Sequence, residues 1–176
     1  MANIKRIKRE LSCKGRIIDF YSDTMLINNE KKALFDFIEH HGASAMLPVD
    51  KDGNILMVHQ FRNAIDSYTI ELPAGGLNPG EDNLTCAIRE CEEETGYIPN
   101  NVKHLIDVHT TVAFSNELIK IFYSKDLTPS KQKLDEDEYV DVKAYPLNDL
   151  VSMIYSGKIT DAKTVAGLLA YKSMME

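Results

Sequence analysis

The chain has 176 residues, 44% of them apolar and 27% charged, proportions that fit one globular domain of ordinary size with a small appendage. Its net charge of -7 argues against sequence-independent nucleic-acid binding, and no apolar run approaches the ~18–20 residues of a membrane span. The basic start is followed by no apolar stretch and is not expected to be a secretion signal. Cys13, Cys86 and Cys91 are too few and too poorly spaced for a disulfide framework or a zinc site, so a reducing cytoplasm is the expected location.

The first forty residues read as short extended segments, Gly15 to Tyr21, Thr24 to Ile27 and Ala33 to Glu39, with Asn28-Asn29-Glu30 as a turn between the last two. Lys5, Arg6, Lys8, Arg9, Lys14 and Arg16 crowd the start, as a solvated face or as a basic arm that meets a partner. Ala43 to Val49 and Asn54 to His59 are strand candidates, joined by a hairpin turn at Asp50-Lys51-Asp52-Gly53. Ser67 to Leu72 is a third. A glycine- and proline-rich loop, Pro73 to Gly80, precedes a helix from about Glu81 to Thr95. Strand-like runs return at Val102 to Thr111, Leu118 to Ser124 and Tyr139 to Tyr145, and helices over Leu147 to Tyr155 and Asp161 to Met175 close the chain. Strands mixed with three helices predict a layered α/β domain.

On the first helix, Leu84, Ala87, Ile88 and Cys91 are spaced as a core-facing stripe. Glu90, Glu93 and Glu94 fall on another side. Three carboxylates within about one helical turn repel one another unless positive charge sits among them. That density of oxygen donors suits a hard divalent cation such as Mg²⁺ or Mn²⁺. An isolated run of this kind is otherwise a solvated acidic face, with Arg89 pairing to Glu93 one turn on. Two features favour the metal. The loop before the helix carries Gly75, Gly76 and Gly80, which let backbone turn tightly, and Gly96 is suited to the left-handed conformation that ends helices.

Gly75, five residues, Glu81, seven residues, then Arg89-Glu90-Cys91-Glu92-Glu93-Glu94-Thr95-Gly96-Tyr97 resembles the Nudix box. A chance match of its polar and glycine identities is on the order of 10⁻⁸ per register at average residue usage, too small for coincidence. Cys91 and Tyr97 stand where bulky aliphatic residues are usual, which leaves the acidic face intact. From Ala43 onward the chain also resembles one Nudix branch, the pyrophosphatases of ADP-ribose and nucleoside diphosphate sugars.

The resemblance implies an α/β/α sandwich around a mixed sheet, with residues 42–176 as the hydrolase domain. Residues 1–41 would form a small β-rich appendage, exchanged between the subunits of a homodimer. It implies Mg²⁺-dependent hydrolysis of ADP-ribose or a related nucleoside diphosphate sugar, giving a nucleoside monophosphate and a sugar phosphate. The alternatives are preference for another nucleotide sugar such as GDP-mannose, a non-catalytic nucleotide-sugar sensor, and, more weakly, a plain metal-binding domain. Carried over, Glu90, Glu93 and Glu94 would bind the metal with the carbonyl of Ala74, and Arg89 would orient the carboxylates. The acidic run Asp135-Glu136-Asp137-Glu138 would supply a general base or a further ligand, with Glu136 the first candidate, Glu138 the second and Glu93 the competitor within the box. Arg62 would contact substrate phosphate through its fork, and Glu71 and Glu117 would contact substrate. The five histidines show no ligand spacing.

The chain departs from the branch at three places. Val112 stands where many relatives carry a proline, Phe35-Asp36 where an Arg-Glu pair is typical, and His41 where a proline is typical. Phe35 is expected in the core, with stacking on a base as its other reading.

Overall fold

The computed structural model describes residues 1–15, 18–134 and 139–176. The chain divides into two units, Met1–Gly42 with His109–Leu118, and Ala43–Val108 with Ile119–Glu176. Strand β1 (Ile4–Lys14), β2 (Asp19–Ile27) and β3 (Lys31–Glu39) form an antiparallel meander in the first unit. Asn28 and Asn29 both take positive φ in the tight β2–β3 turn, where asparagine tolerates the left-handed region.

The basic stretch up to Lys14 lies on β1, a strand exposed along nearly its whole length, as a solvated face would be; Arg16 lies outside the described residues. The two segments expected over Gly15–Ile27 are largely one strand, because the polar residue between them has a partner. Asp23 is buried and receives Nε and Nη2 of Arg9, each at 2.7 Å, while the Arg9 guanidinium lies 3.6 Å above the ring of Phe37. A charge with a two-pronged partner does not break a strand. Phe35 is 48% exposed on β3, which corrects its expected place in the core. The segment His109–Leu118 lies on the end of β3: Ile38 donates its amide to Phe114 O, and Asn116 exchanges hydrogen bonds with the backbone of His40.

The second unit begins with β4 (Ala43–Pro48) and β5 (Ile55–Arg62). Asp50 accepts the amides of Asp52 and Asn54, and Gly53 takes φ 82°, so the predicted turn forms. Next come β6 (Ser67–Glu71), β7 (Ala74–Gly76) and helix α1 (Asn83–Thr95). β8 (Tyr97–Asn100), β9 (Lys103–His109), β10 (Leu118–Ser124), β11 (Asp126–Pro129) and β12 (Val140–Tyr145) follow, then α2 (Leu147–Tyr155) and α3 (Ala162–Met175). One mixed sheet runs β7-β4-β10-β9, with β4 and β10 parallel. A second runs β12-β5-β6, antiparallel throughout, and β11 pairs with β8.

Alternation along β4 and β10 builds the layers. Ala43, Ala45, Leu47, Ile119 and Ile121 join a core with Leu150 of α2 and Leu168 of α3. Met46 and Phe122, one residue out of phase, pack on Ala87 and Cys91 of α1. Side chains at period two point to opposite faces, so both faces of this sheet are covered. The result is the expected α/β/α sandwich. Leu84 is exposed, which corrects its place in the helix stripe; the inner face of α1 is Cys86, Ala87, Cys91 and Glu94. No helix among the described residues is long and apolar enough to cross a membrane.

Three short strands, β7, β8 and β11, have no sequence signature. β8 and β11 each contain a proline, and β7 lies in the glycine-rich loop. β7 has consequences for the site, because its pairing of Ala74 with Ala45, Gly75 with Ser44 and Gly76 with Ala43 ties that loop to the central sheet.

Candidate active site

Helix α1 starts on Asp82, whose Oδ1 accepts the amides of Leu84 and Thr85, and stops on Gly96 at φ 73°, whose amide reaches Glu92 O. Both ends are thus fixed by local chemistry, and the acidic flank between them is held at a definite rotation. β7 runs beside it. A Cβ on Gly75 would lie 2.1 Å from Oε1 of Glu90, so only a glycine lets the loop backbone come this near the carboxylate. The amide of Ala74 donates to Oε2 of Glu94 at 2.9 Å, and Glu94 is only 2% exposed.

Arg89 ties the cluster together. Its Nε and Nη2 each reach a different oxygen of Glu81 at 2.8 Å, its Nη1 donates to Glu90 at 2.6 Å and to Glu93 at 2.9 Å, and Nη2 also meets Gly76 O at 3.1 Å. One guanidinium thus holds three carboxylates that would otherwise repel, and stitches the helix to the loop. The Arg89 hydrogen bonds, with help from the Asn78 amide, hold the Glu81 carboxyl down at about 2. Glu81 is the residue whose role the sequence did not expose. The box spacing includes it, yet only the fold shows that it receives the whole fork of Arg89. Burial pushes the Cys86 thiol up to about 11 and Cys91 up to about 12, so both are protonated at neutral pH and neither offers a thiolate.

Among the described residues no three His, Cys, Asp or Glu side chains converge as a ready-made metal cage. Glu90 and Glu93 each turn an oxygen to Arg89, and Glu94 turns one to the Ala74 amide. The donor set still fits a hard divalent cation: three carboxylates on one flank of α1, facing a loop whose glycine keeps side-chain bulk away. Glu136 and Glu138 lie outside the described residues.

A second charged cluster lies in the same unit. Arg62, at the end of β5, donates Nε and Nη2 to the two oxygens of Glu71 at 2.8 and 2.7 Å. That edge of the fork is occupied by Glu71. Glu71, at the end of β6, is buried and also accepts from Thr69 at 2.6 Å and from Lys163. Burial acts to raise the Glu71 carboxyl, but Arg62, Lys163 and Thr69 together hold it at about 2. Hydrogen bonding to Glu71 holds the Arg62 guanidinium above its usual range against burial, and the charges of Glu94 and Asp161 are near enough to add to it. Glu117 belongs to the first unit, where it accepts from Thr110 and sits 3.5 Å from Nε2 of His40. Val112 in the same segment is 80% exposed, and His41 is exposed as well.

A sandwich that carries a glycine-bearing strand against an arginine-laced acidic helix defines the Nudix class of α/β domain. The NUDIX domain model matches residues 39–168, and the chain belongs to that family as one of its hydrolases. It is 36% identical to the ADP-ribose pyrophosphatase of Bacillus subtilis (strain 168) over 162 residues, covering 91% of this chain and 88% of the relative. It is 34% identical to the methanol dehydrogenase activator of Bacillus methanolicus over 163 residues, covering 92% and 88%. The solved structure of an ADP compounds hydrolase superposes with a TM-score of 0.88 over 98% of this chain and 94% of that one; at 19% identity it speaks to the fold.

Proposed function

We propose that this protein is a cytoplasmic, Mg²⁺-dependent pyrophosphatase that splits ADP-ribose or a related nucleoside diphosphate sugar into a nucleoside monophosphate and a sugar phosphate. The observation that carries this reading is Arg89 joining Glu81, Glu90 and Glu93 while the Gly75 backbone lies against Glu90. A solvated acidic face needs neither a glycine at closest approach nor a guanidinium anchored from the loop.

Glu90, Glu93, Glu94 and the Ala74 carbonyl would hold Mg²⁺, with Mn²⁺ as a substitute. The ion supplies neutralisation of pyrophosphate charge and a lowered pKa for bound water. The chain's own residues do the rest. Arg89 keeps the carboxylates oriented. A glutamate takes the proton of the attacking water: Glu136 first, with Glu138 and Glu93 as the competing bases. The water oxygen bonds to one phosphorus, and the bridging oxygen departs with the other phosphate. Arg62 meets phosphate with the nitrogen that Glu71 leaves open, and Glu71 sets that fork's direction. Glu117 contacts substrate. Residues 1–41 serve a homodimer in which the small sheet is exchanged.

The test is a hydrolysis panel of ADP-ribose, GDP-mannose, UDP-glucose, NADH and a diadenosine polyphosphate with Mg²⁺, products separated chromatographically. Metal-dependent release of AMP from ADP-ribose, lost in Glu94→Gln, is the expected result. A different favoured sugar would keep the mechanism and move specificity to Phe35, His41 and Val112. Binding without hydrolysis of any compound would overturn the enzyme in favour of a sensor.

A further inference from the structure

The start of α3 touches the site's supporting strand at two adjacent residues. Asp161 caps the helix, its Oδ2 accepting the Thr164 amide at 3.0 Å and Nζ of Lys163 at 2.9 Å. Lys163 is buried and extends from that cap to Glu71. Thr164 is fully buried, and its Oγ1 accepts the amide of Leu72 at 2.9 Å. Three residues further on, a Cβ on Gly167 would lie 2.8 Å from Cδ1 of Leu72, so the helix is seated on that side chain with no slack.

From Leu72 the chain reaches the acidic helix in two residues. Pro73 O accepts the amide of Met46, and Ala74 donates its own amide to Glu94. The segment 71–74 is therefore held at every residue: Glu71 by Lys163 and Arg62, Leu72 by Thr164, Pro73 by β4, Ala74 by Glu94. Glu94 and β4 hold the Ala74 end of this path, and Lys163 and Thr164 of α3 hold the Glu71–Leu72 end.

We propose that Lys163 and Thr164 are positioning residues for the acidic helix, acting through Glu71–Ala74 to set the Ala74 backbone against Glu94. The inference rests on the reading of Glu90, Glu93 and Glu94 as a divalent-cation site. It explains why a lysine is buried so far from the box, with its charge met on one side by the cap of α3 and on the other by Glu71. It also explains a fully buried threonine hydroxyl that accepts the amide of Leu72, just past the end of β6. Replacing Thr164 by valine keeps the shape and deletes the acceptor. Leu72 then has no buried partner for its amide, and the strand shifts to find one.

The experiment measures Mn²⁺ affinity of the full chain by electron paramagnetic resonance, with melting temperature and steady-state hydrolysis alongside. Thr164→Val should weaken Mn²⁺ binding by about tenfold, the usual consequence of losing a group that supports metal ligands, and lower kcat with little change in KM. Thr164→Ser, which keeps the acceptor, should restore both. Lys163→Met, which leaves the Thr164–Leu72 bond intact, is the second variant should Thr164→Val fail to fold, and it should weaken binding in the same direction. A lower melting temperature with wild-type Mn²⁺ affinity and kcat in the folded variants would make these residues structural only and overturn the proposal. Wild-type protein that neither binds Mn²⁺ nor hydrolyses any panel substrate would bring down the functional reading, and this inference with it. Wild-type protein that does both, beside variants that match it, would bring down this inference alone.

Discussion

A side chain on Gly75 and the carboxylate of Glu90 cannot occupy the site together: the Cβ would lie 2.1 Å from Oε1 and 2.2 Å from Cδ. The glycine is required by close approach rather than by a left-handed backbone. The clashing atoms are the far end of a flexible side chain, so Gly75→Ala should fold with a melting temperature close to wild type. Glu90 would swing away from its place beside Arg89. A misplacement of this size costs about a hundredfold in rate, so kcat should fall by that order while circular dichroism is unchanged. An alanine variant with wild-type kcat would show that Glu90's position is immaterial.

Arg89→Lys keeps the charge and loses the fork. A lysine cannot reach both oxygens of Glu81 and still bridge Glu90 and Glu93, so the loop and helix should come apart locally. The expected loss is about ten- to hundredfold in kcat. Glu81→Gln should produce a loss of similar kind, because it weakens the other end of the same bond pair. The double variant should then cost much less than the sum of the two, with a coupling of about 1–3 kcal/mol in a thermodynamic cycle of unfolding free energies. Additive losses would mean that Glu81 and Arg89 act separately.

Much of this arrangement was legible before any coordinates. The box spacing carries Gly75, Arg89, Glu90, Glu93 and Glu94, the pattern of residues places α2, and Gly96 places the end of α1. Other features were illegible for identifiable reasons. β1 is crowded with lysine and arginine because nearly all of it is exposed, so alternation had no apolar side to display. Leu84 looked inward because spacing fixes which residues share a face but not how the helix rolls on the sheet; Glu94 takes part of that inner face through its bond to Ala74. The Arg62–Glu71–Lys163 chain joins residues from three elements, and no local pattern announces a contact between positions 71 and 163.

Glu71 makes a prediction about acid stability. Its carboxyl titrates at about 2 in the folded protein, below the ordinary 4.5 that it regains on unfolding. A lowered folded pKa stabilises the native state above about pH 4.5, and that contribution is lost as the pH falls toward 2. A shift of this size corresponds to about 3 kcal/mol at neutral pH. Glu71→Gln should therefore be less stable than wild type in denaturant titrations at pH 7, by a few kcal/mol, because Arg62 and Lys163 both lose this carboxylate and Lys163 keeps only Asp161. The gap should narrow steadily below pH 4.5. A gap that stays constant from pH 7 to pH 3 would refute the linkage.

The meander of β1, β2 and β3 shows too much apolar surface for a free-standing sheet. Leu34 is 76% exposed, and Ile4 and Leu11 are each about half exposed. The register places Leu34 in line with Thr24 and Lys8, with Leu11 and Ile4 further along β1 on either side. The proposed homodimer through this sheet would cover them, and sedimentation should then give twice the mass of the chain at micromolar concentration. Leu34→Glu should leave the fold intact, because the side chain is exposed in the single chain. It should raise the dimer Kd by about tenfold or more, since a charge would be driven against an apolar partner. If the exchanged sheet also completes the partner's site, specific activity of that variant should fall on dilution along the same curve as the dimer fraction. A wild-type chain that sediments as a monomer, with activity independent of concentration, would refute the exchange and leave the exposed leucine without a role.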